Sequence, residues 1–393
     1  MRIVLAPDSF KESLSAVQAA EAMARGVRRA LPDCEAVTAP IADGGEGTVE
    51  VLVSATGGQF LDQEVTGPLG EPVAARYGLL GDGRTAVIEM AAASGLPLVP
   101  EARRDPMVTT TRGTGELIRS ALDRGVGRIV IGIGGSATVD GGAGMAQALG
   151  ARLLDAEGRA IPPGGGGLAR LRRVDLSALD PRVRRTAIEV ASDVDNPLIG
   201  ERGAARVYGP QKGATPETVA QLEANLTHLA EVVARDVGVR IADAPGAGAA
   251  GGLGGALMAF LGARLRLGFD IVAGILHLEK LLSGCDLVVT GEGRMDGQAV
   301  FGKAPVRLAQ LAKTQGRTVV AIVGQLGEGW REVLDHGIDA AFSITDGPMP
   351  PAEAMTRAGP LIECAAEQVA RLFAAGGPVR GGTPTGGGAA RAP

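Results

Sequence analysis

Short turns that join acids or a lysine to glycine recur along this chain, and these are the residue types that hold phosphate groups and metal ions. Asp8-Ser9-Phe10-Lys11 follows an apolar run. Lys11 has the charge to hold phosphate oxygens, Asp8 can ligate a metal, and Ser9 can cap the following helix. In Asp43-Gly44-Gly45-Glu46, two carboxylates flank paired glycines, a set that suits Mg²⁺ and phosphate because Mg²⁺ takes oxygen ligands and keeps several waters. Gly132-Ile133-Gly134-Gly135-Ser136-Ala137-Thr138 offers backbone N–H groups and hydroxyls to a carboxylate or phosphate. Ser192-Asp193-Val194-Asp195-Asn196-Pro197 places Asp193 where a base for a hydroxyl proton is wanted, with Asn196 close by.

Three further segments extend the set. Lys212 sits in Tyr208–Gly213, and Gly251 and Gly252 end a glycine run that leads directly into a helical stretch, Leu253–Phe260. N–H groups converge on an anion in such a geometry, helped by the helix dipole. Glu292 precedes a G-x-x-x-x-G-K string, Gly297 to Lys303, which is followed by Ala304 and so lacks the Ser or Thr a true P-loop needs for Mg²⁺. Each turn alone has an ordinary explanation in tight turns and helix caps. Together they point to phosphoryl transfer, which asks for positioning and charge neutralisation.

Other chemistries have less to stand on. The glycine loop at 132–137 matches G-x-G-x-x-A, yet the acid some twenty residues later, Asp155, falls in a turn, so a nicotinamide site is weakly supported. His228, His277 and His336 lie apart in helical patterns, and no Ser-His-Asp or Cys-His set is visible. The three cysteines, Cys34, Cys285 and Cys364, show no metal or disulfide spacing.

The elements that must position these turns read as α/β. Ile3–Ala6 is a buried strand, a helix runs from about Ser15 to Ala30, a strand from Ala36 to Ala39, and a helix from Thr48 to Ser54. From Phe60, three strand-like runs without helices between them suggest antiparallel pairing. A helix–strand–loop texture follows, with one long helix from Pro216. Strands at DLVVTG, TVVAIVG and DAAFSIT then return, with a last helix to about Phe373. The expected fold is a flavodoxin/Rossmann-like parallel-sheet domain from 1–64 and 266–375, with a second, mixed-sheet α/β domain, 65–265, inserted. The Gly/Pro-rich segment 376–393 is expected to be disordered.

Bulk composition agrees with a soluble enzyme. Hydrophobic residues make up 45% and aromatics 3%, so the cores are aliphatic. A net charge of −5 without a basic stripe argues against nucleic acid. No apolar stretch nears the roughly 18 residues of a membrane span, and the opening apolar run is shorter than a signal peptide's core. A cytoplasmic protein, monomer or homodimer, is expected.

The segments APDSFKESLSA (6–16), PIADGGEGT (40–48), IGIGGSATVDGGAGMAQALG (131–150), SDVDNPL (192–198), YGPQKGAT (208–215), PGAGAAGGLGGAL (245–257) and DLVVTGEGRMDGQ (286–298) together resemble the bacterial glycerate kinase family. The resemblance runs to about Phe373. It implies ATP-dependent phosphorylation of D-glycerate with Mg²⁺, in a cleft between the two domains, with 2-phosphoglycerate favoured over 3-phosphoglycerate as product. On that reading, Lys11 and Asp193 are catalytic and Asp8, Asp43 and Glu46 serve the metal. Ser9, Gly44, Gly45, Gly251, Gly252, Glu292 and Lys303 serve the nucleotide, and Gly134, Gly135, Ser136, Thr138, Asn196 and Lys212 serve the glycerate. A kinase for another hydroxy acid or a sugar, an NAD-dependent oxidoreductase and an anion sensor are the alternatives.

Overall fold

Four-residue apolar stretches buried on both faces can only sit in the middle of a helix-covered sheet. The computed structural model, which describes residues 1–376, forms one from Ala340–Ser343, Thr318–Val323, Leu287–Thr290, Arg2–Leu5 and Glu35–Thr38, in that order and all parallel. Val4 stands in register with Val288 on one side and Val37 on the other. Apart from Gly376, the segment 376–393 lies outside the described residues.

Helices from opposite ends of the chain cover one face. Ala16–Ala30 is capped by Ser15 and not, as expected, by Ser9, which lies six residues earlier: the Ser15 side chain accepts from the Gln18 N–H while the Gln18 side chain returns the bond, a capping box. Its Met23 and Val27 pack with Leu361 and Val369 of Ala358–Ala375 over Ile3, Leu5 and Val289. Phe269, Leu278 and Leu308 cover the other face.

The second sheet runs Arg264–Arg266, Ala187–Ala191, Arg128–Gly132, Thr85–Glu89, Pro72–Leu79, Gln59–Thr66. Its first four strands are parallel, and the last two joints are antiparallel, as the helix-free run from Phe60 suggests. The strand at TAVIE ends at Glu89, and the following alanines turn into a short helix, Ala91–Ser94. The strand Gln59–Thr66 crosses the border expected at 64/65. Helix Thr48–Thr56 buries Val49, Leu52 and Val53 against Leu80, Val87 and Val130, so it packs on the second sheet rather than the first. No helix among the described residues is long and apolar enough to cross a membrane.

The two sheets meet at a knuckle of glycines. A Cβ on Gly268 would lie 1.7 Å from the Asp43 carbonyl, and one on Gly132 would lie 2.3 Å from the Gly44 carbonyl. Gly44 itself has φ +90°, and its Cβ would meet Ala191 at 2.5 Å. The acid-bearing turn of the first sheet is thereby pressed into the strand ends of the second. Gly268→Ala sets side chain against backbone, so it is expected to lose about 1–3 kcal/mol or more, the scale of core overpacking. A lowered urea midpoint at unchanged slope checks it.

Candidate active site

Ligands of parallel α/β sheets bind beyond the carboxyl ends of the strands. Here the turns after Glu35–Thr38, Arg128–Gly132 and Ala187–Ala191 open on one cleft of about 410 Å³. Asp43, Gly44, Gly45, Gly134, Gly135, Ser136, Asp193 and Lys212 line it, with Tyr208, Gln211 and Ala250. Residues far apart in sequence therefore share one space.

The Gly132–Thr138 turn is held from the side. Leu96 N–H donates to the Gly135 carbonyl (2.8 Å), Ala137 N–H donates to the Ser94 carbonyl (2.9 Å), and Gly135 takes φ +71°. Behind it, Lys212 ends the turn Pro210–Lys212 and is only 2% exposed. Its ammonium donates to Ser136 Oγ (2.6 Å) and to the Thr138 carbonyl (2.7 Å), both neutral. Burial pulls its pKa down to about 7, with Asp140 acting in the opposite direction. A desolvated cation with only neutral acceptors suits an incoming anion.

Asp193 faces the same cleft. Its Oδ1 accepts the Gly268 N–H at 3.0 Å, which fixes the carboxyl at the glycine knuckle. Solvent reaches it through the cleft, yet the surrounding atoms push its pKa up to about 6, with Asp43 and Asp270 adding to the rise and Arg307 opposing it. Arg307 donates to Asp270 Oδ1 at 2.8 Å. Neither residue figured in the sequence reading, because both lie on helices remote from the glycine turns.

A second set of charges adjoins the first through Asp43. Asp8 N–H donates to the Gly291 carbonyl (2.8 Å), and its Oδ1 accepts from Ser9 N–H (2.6 Å). Burial, then the neighbouring Asp43 and Glu292, raise Asp8 to about 7, against the Ser9 N–H and Lys11. Glu292 is also raised by burial, while Lys303 and the exposed Lys11 lower it. Lys303 Nζ holds Glu292 Oε2 (2.8 Å) and the Arg294 carbonyl (2.9 Å), so it braces this corner instead of heading a P-loop. Glu292 Oε1 is buried with no hydrogen-bond partner.

Other expected site residues are not among those that line this cleft. Glu46 is exposed and its charge bears on Glu89, whose carboxylate accepts the Val49 N–H (2.8 Å) and caps helix Thr48–Thr56. Glu89 had no motif to flag it. Asn196 ties its own loop together: Nδ2 donates to the Arg202 carbonyl (2.8 Å), and Oδ1 accepts from the Tyr208 hydroxyl (2.7 Å). Gly251 and Gly252, at φ +69° and +94°, pack on Thr138 and Gly141. Thr138 offers Lys212 its carbonyl, and its Oγ1 is buried without a partner. Asp155 accepts from Arg159 N–H (2.9 Å) and Arg170 (2.8 Å) beside the small hairpin Arg152–Leu154/Arg173–Asp175, not at a ribose-binding strand end. Among the described residues, no three His, Cys, Asp or Glu side chains converge as a metal-holding group.

The sequence and fold match proteins already known. A family model described as the glycerate kinase family covers residues 3–374. A glycerate kinase from Bacillus subtilis (strain 168) is 54% identical over 370 residues, 94% of this chain and 97% of that protein. A glycerate 2-kinase from Escherichia coli (strain K12) is 56% identical over 344 residues, 88% of this chain and 90% of that protein. A crystal structure assigned to glycerate kinase 2 from Salmonella typhimurium LT2 superposes with TM-score 0.88 at 53% identity, covering 96% of this chain and 99% of that one.

Proposed function

Because this chain belongs to the glycerate kinase family, and so is an enzyme that phosphorylates glycerate, we propose that it moves the γ-phosphoryl group of ATP to a hydroxyl of D-glycerate in the cleft between its sheets. The observation that carries this reading is a buried ammonium, Lys212, lining the same cleft as a raised carboxyl, Asp193. A three-carbon hydroxy acid needs that pair. Its carboxylate takes Lys212 and Ser136, and its hydroxyl reaches Asp193.

Asp193 Oδ accepts the hydroxyl proton as the new O–P bond forms and the bond from Pγ to the bridging oxygen breaks, with ADP leaving. A base with pKa about 6 is mostly ionised at neutral pH and still basic enough to take the proton. The nucleotide phosphates lie toward Asp8, Ser9, Lys11, Glu292 and Lys303, where Lys11 offsets the charge of the moving group. The crowding of Asp8 by Asp43 and Glu292, with a Glu292 oxygen left unpaired, fits a hard divalent cation. Asp8 and Asp43 would hold Mg²⁺, which would supply neutralisation of phosphate charge.

The two sheets serve as cores of a split lobe and an inserted lobe, the latter starting ahead of residue 65, where Gln59–Thr66 begins. A cleft between such lobes can close to exclude water. We assign the enzyme to the cytoplasm and its product to 2-phosphoglycerate. Phosphorus NMR of the product from D-glycerate, ATP and Mg²⁺ tests this: the expected signal is a phosphomonoester coupled to the single C2 proton. Coupling to two C3 protons would overturn the regiochemistry. No turnover of D-glycerate beside turnover of another hydroxy acid would overturn the substrate.

A further inference from the structure

Asp140 lies two residues beyond Thr138 on the strand-end turn that holds Lys212, and it is 0% exposed. Four donors meet its carboxyl: Thr111 N–H (2.8 Å) and Oγ1–H (2.9 Å) and Gly144 N–H (3.2 Å) at Oδ2, and Gly142 N–H (3.0 Å) at Oδ1. All are neutral, and all donate. A carboxylate is acceptor-only, whereas a protonated acid would point a proton at a donor. The cage favours the ionised form and works against burial, which pushes the Asp140 pKa up. Such a charge is costly unless an opposite charge lies near.

The opposite charge is Lys212, itself buried and bonded only to neutral oxygens. Each lacks a charged hydrogen-bond partner of its own, and the two share one turn, residues 136–140. We propose that Asp140 is a positioning residue for the reaction, supplying through space the negative charge that keeps the Lys212 ammonium in the cleft wall for the substrate carboxylate. This rests on the assignment of Lys212 to glycerate given above. Around Lys212, Asp43 and Asp193 stand across the cleft, and the loop after it packs on the Arg104 carbonyl. Asp140 is the charged neighbour that acts against the effect of burial on Lys212.

The consequence is a pH signature. Lys212 must be protonated to bind a carboxylate, so kcat/KM for glycerate falls as pH rises through the Lys212 pKa, about 7 in the free enzyme. Removing the Asp140 charge lowers that pKa further. In folded Asp140→Asn, the alkaline limb of kcat/KM for glycerate is expected to move to lower pH by about one unit or more, the scale of a nearby opposite charge, with KM for ATP unchanged. Thr111→Val removes one cage bond, and with it the acceptor of the Met145 N–H, but leaves three donors on the carboxylate, so its limb should move less than that of Asp140→Asn. An unmoved limb in Asp140→Asn, or an equal shift in Thr111→Val, overturns the proposal.

If Asp140→Asn does not fold, the combined Asp140→Asn/Lys212→Met chain decides, because deleting both charges removes the unpaired one. Recovery of a cooperative unfolding transition is expected, and a double variant no better folded than the single one overturns the coupling. Lys212→Met separates the two readings. Normal KM for glycerate in that variant removes Lys212 from the substrate site, whereas impaired Lys212→Met beside an unmoved Asp140→Asn limb removes Asp140 alone.

Discussion

Lys212→Met lowers kcat/KM for D-glycerate by about 30- to 5,000-fold, the range for deleting one partner of a buried charge pair (about 2–5 kcal/mol). The loss is read mainly in KM for glycerate, with KM for ATP near wild type, because the nucleotide phosphates are assigned to the Asp8–Lys11 side. Methionine keeps most of the side-chain volume, and the position is 2% exposed, so the wall of the cleft stays filled. Ser136 Oγ and the Thr138 carbonyl lose a donor, which adds to the cost but not to the substrate selectivity. Steady-state kinetics with each substrate varied in turn checks the split. A proportionate loss in both KM values would place Lys212 elsewhere in the mechanism.

Asp193→Asn is expected to cost about 10²–10⁴ in kcat, the scale of one general base. Oδ1 of the amide can still accept the Gly268 N–H, so the turn keeps its shape. The wild-type pH profile provides a second check. Asp193 acts ionised, so kcat/KM falls as pH drops through about 6, while loss of the Lys212 proton lowers it above about 7. A narrow bell is the expected shape. With Mg²⁺ and ATP saturating, so that Asp8 stays ionised on the metal, the acid limb should disappear in Asp193→Asn and the alkaline limb remain. Retention of both limbs at near-normal kcat would remove the base assignment.

The strand and helix pattern was largely legible because it is local. Four-residue apolar runs mark the parallel sheet, and the helix expected from about Ser15 by its apolar spacing begins at Ala16. Residue chemistry was legible too: the turns bearing Asp43, Gly134, Ser136, Asp193 and Lys212 do line one cleft. Other assignments rested on residue type alone, and there the surroundings matter. Asn196 is taken up in bracing its loop, Glu46 points its charge toward Glu89, and Gly251 makes room for the Thr138 carbonyl. Glu89, Asp140, Asp270 and Arg307 had no spacing to single them out, since their importance comes from what folds against them.

By itself the sequence determined which segments form strands and helices, and which turns carry acids, lysines and glycines, for side-chain periodicity and turn chemistry depend on near neighbours. Only the tertiary structure decided that the charge of Asp43 bears on both Asp8 and Asp193 and that Lys212 and Asp140 are dry. Charge interaction and desolvation depend on distance and on excluded water, and both arise only once the turns of two sheets are pressed together at Gly44, Gly132 and Gly268.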